Sequence, residues 1–333
     1  MTILSWVVVL LAVVVVIASA AVLLVVSSPL PVLKETDVFG FDALQSPPES
    51  DLPPLLRYPT RDGERLAYRF YDSSATQMLI FIHGSSLHGG SYHDLARHTS
   101  TSGTAKVVLP NLRGHFQSGR RRGDVEYIGQ LEDDIVDLIT ELRSDGFHGP
   151  IVLGGHSGGG GLVIRFAGGA NARLVARFLM LSPVIPTSPM LRRRPTGPWA
   201  QIHTRRIAGL TILNALGIRG LNSLPVIQLS KPVKFWDGTE TLTYSYRLTM
   251  SYYPRTRYSA DVRSLEDRAL VLIGENDEAV DAQSLQKLFK LESPLTAFKV
   301  CAGMNHFGIF TSAAVHEMLS EWLMQRPETS SPS

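Results

Sequence analysis

The apolar run Ile151-Val152-Leu153 ends in Gly154-Gly155-His156-Ser157-Gly158-Gly159 and leads into Leu162-Val163-Ile164-Arg165-Phe166. A strand therefore passes through a glycine-rich turn into a helix. A Gly-x-Ser-x-Gly turn at such a junction bends the backbone so sharply that only small residues fit beside the serine, whose hydroxyl is left exposed at the tip. Alone, these five residues are a weak signal, because Gly-Ser-Gly is common in loops and the stretch is locally rich in glycine. The turn gains meaning only if partners for Ser157 lie at matching places elsewhere.

Around it the chain alternates strand and helix. Leu55-Leu56-Arg57-Tyr58 and Leu66 to Tyr71 flank Arg61-Asp62-Gly63, a hairpin signal. Met78 to Ile82, Lys106 to Leu109, Ile151 to Leu153, Ala176 to Leu181, Ala269 to Ile273 and Leu295 to Val300 are short apolar runs suited to strands covered on both faces. Between them, Ile128, Leu131, Ile135, Leu138, Ile139 and Leu142 recur at helical spacing over about 124–144, and a last helix is expected from about Ile309 to Met324. Such alternation predicts an α/β fold with a mostly parallel central sheet and helices on both faces, whose active residues lie beyond the carboxyl ends of the strands.

That rule makes a demand on the sequence. A serine hydroxyl needs an imidazole to take its proton, and the imidazole needs a carboxylate to fix its tautomer and stabilise its cation. After the run ending at Ile273 comes Gly274-Glu275-Asn276-Asp277, and after Val300 comes Cys301-Ala302-Gly303-Met304-Asn305-His306. Ser157, Asp277 and His306 are the candidate catalytic residues, and their order along the chain is that of the α/β-hydrolase arrangement. Glu275, Glu278 and Asp281 are competing carboxylates, and position after the strand favours Asp277. His88, His93, His98, His148, His203 and His316 have no strand end to place them and read as surface or packing residues; His156, inside the elbow, reads as packing. No pair of histidines has zinc-ligand spacing and Cys301 is the single cysteine, so neither a metal, a disulfide nor a cofactor is expected.

With these residues in place the chain resembles an α/β-hydrolase of the monoglyceride-lipase, lysophospholipase and serine-aminopeptidase-like branch, over about Leu55 to Arg326. The resemblance rests on His83-Gly84-Ser85, Asn111-Leu112-Arg113-Gly114-His115, Gly155-His156-Ser157-Gly158-Gly159, Gly274-Glu275-Asn276-Asp277 and Asn305-His306. It implies an oxyanion hole built from the backbone N–H groups of Gly158 and Ser85, with Ser86 the alternative to Ser85. It also implies that His83 bonds loop backbone. Asn111 stands where the family usually has Asp, Phe116 where it has Gly, and Gly158 where it has a larger residue. The first two departures give the 111–118 stretch a structural role and an altered pocket shape.

Between Pro183 and about Glu266 the alternation breaks for a length too great for a structureless loop, so a cap inserted at about 186–266 is expected. It carries Arg192-Arg193-Arg194, Arg205, Arg206 and many aromatics, which read either as a lid surface meeting lipid or as the cap's own small core with a solvated basic face.

Ile3 to Val26 is almost uninterrupted aliphatic sequence, long enough at about 1.5 Å per residue to span a hydrocarbon core of about 30 Å. A transmembrane anchor at 3–26 is favoured over a cleaved signal, since no Lys or Arg precedes it and the apolar run continues beyond Ala18-Ser19-Ala20. Lys34, followed by Glu35, Asp37 and Asp42, leaves both orientations of this single-pass anchor open. The proline-rich, acidic stretch 27–54 reads as a linker off the membrane, and 327–333 as a polar tail. A formal net charge of +2 gives no argument for nucleic acid. The expected function is a membrane-anchored serine hydrolase cleaving carboxylic esters, lipid-like ones among them. A peptidase or thioesterase with the same triad, and a tethered non-catalytic binding module, are the rivals.

Overall fold

The computed structural model describes residues 2–28, 37–44, 47–188 and 199–325. Arg192-Arg193-Arg194, the polar tail and residues 29–36 and 45–46 of the stretch read as linker lie outside the described residues. In chain order the strands are β1 (Leu56–Pro59), β2 (Arg65–Tyr71), β3 (Met78–Ile82), β4 (Lys106–Pro110), β5 (Ile151–His156), β6 (Arg177–Leu181), β7 (Ala200–Ile202), β8 (Pro225–Leu229), β9 (Thr243–Ser245), β10 (Ala269–Gly274) and β11 (Ala297–Cys301). Eight of them form one sheet in the order β1-β2-β4-β3-β5-β6-β10-β11. The hairpin strand β2 runs antiparallel to β1 and β4, and the other neighbours are parallel.

Every residue of β3, β5, β6 and β10 is buried, which is why these strands are mainly apolar rather than alternating, with His156 and Arg177 as buried polar residues at the ends of β5 and β6. Alternate side chains still go to opposite faces. Met78, Ile80 and Ile82 join a core with Leu131, Leu138 and Leu162, whereas Leu79 and Phe81 join a second core with Leu95 and Leu319. The helix expected over 124–144 begins only at Gln130, because Gly129 has φ +101°, a backbone that no right-handed helix contains. The last helix is likewise divided, into Gly308–Thr311 and Ala313–Met324, at the extended backbone of Ser312.

Between β6 and β10 the chain builds a small antiparallel sheet, β7-β8-β9, with the helices Thr204–Ala215, Tyr246–Tyr252 and Tyr258–Arg263. Its tyrosines reach the loop after β3: Tyr252 Oη donates to His83 O at 2.7 Å, Tyr244 Oη accepts from Ser86 N at 3.1 Å, and Tyr253 Oη lies 3.0 Å from Ser85 Oγ. The aromatics there thus serve its own packing and the adjoining loop together.

Ile3–Val26 forms one 24-residue helix, long and apolar enough to cross a membrane and largely unburied. Its last turns dock on the helix Thr204–Ala215. Ala21 and Val25 are buried there, and a Cβ on Gly209 would lie 2.6 Å from Ala21 O. Arg206 donates from Nη2 to Ser28 O and from Nη1 to Pro225 O at 2.8 Å, closing the ends of both segments.

Candidate active site

Ser157 joins β5 to the helix Gly158–Ala167 with φ +53° and ψ −119°, a conformation that costs a non-glycine residue about 1–3 kcal/mol. The surrounding glycines make it possible. A Cβ on Gly155 would lie 2.5 Å from Gly159 O, and one on Gly159 would lie 2.5 Å from both Ile82 O and His83 O. The glycine at 158, unusual for the resemblance, has its own reason: a Cβ there would lie 2.4 Å from Tyr252 Cε1 and 2.7 Å from Ser85 Oγ. Tyr252 fills the space a larger residue would take.

The loops after β5, β10 and β11 bring Ser157, Asp277 and His306 together. Ser157 Oγ lies 3.0 Å from His306 Nε2, and His306 Nδ1 lies 2.9 Å from Asp277 Oδ2. The other oxygen of Asp277 accepts the backbone N–H groups of Ala279 and Val280, both at 2.8 Å. Burial pushes this carboxyl up, but the charge and hydrogen bond of His306 and the Val280 N–H outweigh it and hold it below the usual carboxylate range. The competing carboxylates are engaged elsewhere. Glu278 accepts from His306 N, Glu275 from Gly303 N, and Asp281 caps the helix Ala282–Glu292 through Ser284 N.

Ser85 sits against Gly158, as the contact of the absent Cβ indicates, whereas the Ser86 N–H is already spent on Tyr244 Oη. The Gly158 N–H follows Ser157 directly, at the start of the helix Gly158–Ala167. His83 Nε2 accepts from Leu112 N at 3.1 Å and its Nδ1 lies 2.9 Å from Gly84 O, so it ties the β3 and β4 loops together. Asn111 does the same with both ends of its amide, accepting from Gly89 N and donating to Phe116 O.

Two contributions were not legible in the sequence. His156 does more than pack: its Nε2 lies 3.0 Å from the backbone oxygen of His306 and its Nδ1 lies 2.8 Å from Tyr92 Oη, which also accepts from Gly84 N at 2.8 Å. Burial foremost, then the neighbouring His306, holds the His156 imidazole well below its ordinary pKa, so it is neutral and donates from Nε2 while accepting from the phenol. The second is aromatic. Phe39, from the stretch read as linker, and Trp199 border Ser157 together with Leu87 and Phe307, leaving a cavity of about 10 Å³.

The sequence profile of the family described as serine aminopeptidase, S33, matches residues 73–310, a span that contains the elbow, Asp277 and His306. The chain belongs to this hydrolase family. Within it the chain is similar to monoglyceride lipases over part of its length. It is 31% identical to human monoglyceride lipase over 148 residues, 44% of this chain and 47% of that protein. It is 31% identical to the monoacylglycerol lipase of Mycolicibacterium smegmatis over 106 residues, 31% of this chain and 38% of that protein. The chain thus spans less than half the length of these relatives. The fold matches that of the monoacylglycerol lipase of Paleococcus ferrophilus with a TM-score of 0.60 at 21% identity, covering 78% of this chain and 98% of that one.

Proposed function

We propose that the chain is a serine hydrolase that cleaves carboxylic esters with lipid-like acyl groups through an acyl-Ser157 intermediate. The observation that carries this reading is the unbroken hydrogen-bonded line Asp277–His306–Ser157, ending on a hydroxyl held at a strained elbow. His306 Nε2 takes the Ser157 proton as Oγ attacks the ester carbonyl carbon, and Asp277 stabilises the imidazolium that forms. The carbonyl oxygen becomes an oxyanion facing the N–H groups of Ser85 and Gly158. As the C–O bond breaks, Nε2 returns the proton to the departing alcohol. Water then attacks the acyl carbon, gives its proton to Nε2, and Ser157 leaves with that proton restored.

An ester with an apolar acyl group fits better than an amine-bearing peptide. Among the described residues that line the cavity beside Ser157, none is a carboxylate that would receive a substrate ammonium, and rings predominate. The helix Ile3–Val26 would hold the enzyme at a membrane, where such esters concentrate.

A fluorophosphonate probe tests the reading. The protein should label, and Ser157→Ala should not; folded wild-type protein that resists labelling would sink it. A panel of esters, thioesters and aminoacyl amides of graded chain length then tests the bond type, with long-chain esters expected to turn over fastest. Faster turnover of amides than of every ester would favour the peptidase.

A further inference from the structure

One phenyl ring from the chain's own N-terminal segment stands beside the reacting atoms, and a second packs behind it on the same aromatic side chains. Phe39 stacks on the imidazole of His306, with 4.8 Å between ring centroids and 25° between planes. It also meets Trp199 at 5.0 Å and Phe307 at 5.4 Å. Phe41 packs on Trp199 at 5.4 Å, Phe307 at 5.1 Å and Phe235 at 6.0 Å. Both rings are buried. The space left beside Ser157, about 10 Å³, holds no more than a water molecule, so an acyl chain has no room while the rings are in place.

The same segment walls two further cavities. One of about 130 Å³ is bounded by Phe41 and Leu44 and shares Leu87 with the catalytic cavity; one of about 300 Å³ is bounded by Asp42 and Leu44 and shares Ser91 with the second. Residues of the 37–44 segment thus form part of the wall of all three cavities, which lie in a row from Ser157 past Leu87 to Ser91. The segment is held in a way that permits it to lift away. Its hydrogen bonds among the described residues are internal, from Phe41 N to Asp37 Oδ1 at 3.0 Å and from Leu44 N to Phe41 O at 3.1 Å. Its hold on the domain is apolar contact, with the Lys231 ammonium 5.9 Å from the Phe41 ring. Removing it breaks no strand pairing, and apolar contact is non-directional, so another apolar chain can replace it.

We propose that residues 37–44 are a displaceable plug, with Phe39 and Phe41 occupying the groove that takes the acyl chain. Describing the groove as an acyl site rests on the hydrolase reading given above. A long acyl chain displaces the rings because each methylene that enters regains the contact they lose, whereas a chain of one or two carbons cannot compensate. The unplugged fraction then sets the apparent affinity.

The test uses full-length protein held in amphipol and carrying Ser157→Ala, so that binding is read without turnover. The probe is octyl glycerol ether below its micelle concentration, titrated calorimetrically, with ethyl glycerol ether as the short control. If about a tenth of the molecules are unplugged, Phe39→Ala/Phe41→Ala should bind the octyl ether roughly tenfold more tightly and the ethyl ether almost unchanged. Asp37→Ala, which removes the internal hydrogen bond that shapes the turn presenting Phe41, should shift octyl affinity the same way by a few fold, and it decides the matter if the double variant does not fold. Unchanged or weaker octyl binding in folded variants would make Phe39 and Phe41 fixed walls and overturn the plug. Tighter binding by the variants in a protein whose Ser157 form hydrolyses no ester would keep the plug and remove the hydrolase reading. Ester turnover with unchanged affinities would do the reverse.

Discussion

His156 Nε2 lies 3.0 Å from the backbone carbonyl oxygen of His306, and the other nitrogen of the same ring lies 2.8 Å from Tyr92 Oη. Because the phenol also accepts Gly84 N–H, one line of hydrogen bonds runs from the loop bearing Ser85 to the loop bearing the proposed general base. The two halves of the site are thereby fixed relative to each other. Removing the hydroxyl in Tyr92→Phe leaves two buried groups unpaired, at a cost of about 1–3 kcal/mol of stability. We expect fluorophosphonate labelling to slow by about tenfold, equivalent to about 1.4 kcal/mol, in a variant that still melts cooperatively. A labelling rate equal to wild type would show that this line does not position the site.

Gly158→Ala should be poorly tolerated for a specific reason. The new methyl would meet Tyr252, whose hydroxyl is tied to His83 O at 2.7 Å and cannot easily retreat. We expect a loss of about 1–3 kcal/mol in urea unfolding, together with slower labelling of Ser157. A variant of unchanged stability would mean that the tyrosine yields.

Stability should fall as the solution is acidified below pH 6.5. Burial holds the imidazoles of His88 and His115 at about 4, against an ordinary 6.5. Between those values the unfolded chain binds protons that the folded chain refuses, so stability is complete above pH 6.5 and declines towards pH 4. Each ring contributes on the order of 3 kcal/mol over that window. Urea unfolding followed against pH should show this slope, reduced by one proton in His115→Asn; an identical slope in the variant would contradict the assignment.

The docking of the N-terminal helix on the helix Thr204–Ala215 depends on the absence of a side chain at Gly209. A benzophenone amino acid placed at Val25 should capture a peptide from residues 204–215, and Gly209→Leu should reduce that capture several-fold. Equal capture would mean that the helices do not meet at this point.

The central strands are readable because burial on both faces leaves mostly apolar residues: the apolar run Met78 to Ile82 coincides with β3, and those at β5, β6 and β10 match the strands to within three residues. The loops bearing Ser157, Asp277 and His306 followed from one rule about strand ends, so their meeting could be anticipated. Tyr92 could not be linked to His156, because 64 residues separate them and no local pattern records the contact. Phe39 and Phe41 were hidden for a different reason. They sit in a proline-rich acidic stretch whose composition signals a linker, while their burial is decided by rings contributed from Trp199, Phe235 and Phe307.

The central claim is that Ser157 carries the acyl group, and rapid acid quenching during turnover of a long-chain aryl ester tests it most directly. Peptide mass spectrometry should find the acyl mass on the peptide containing Ser157, growing with the burst of released phenol and absent in Ser157→Ala. A burst of phenol with the acyl group on another residue, or undiminished turnover in Ser157→Ala, would contradict it.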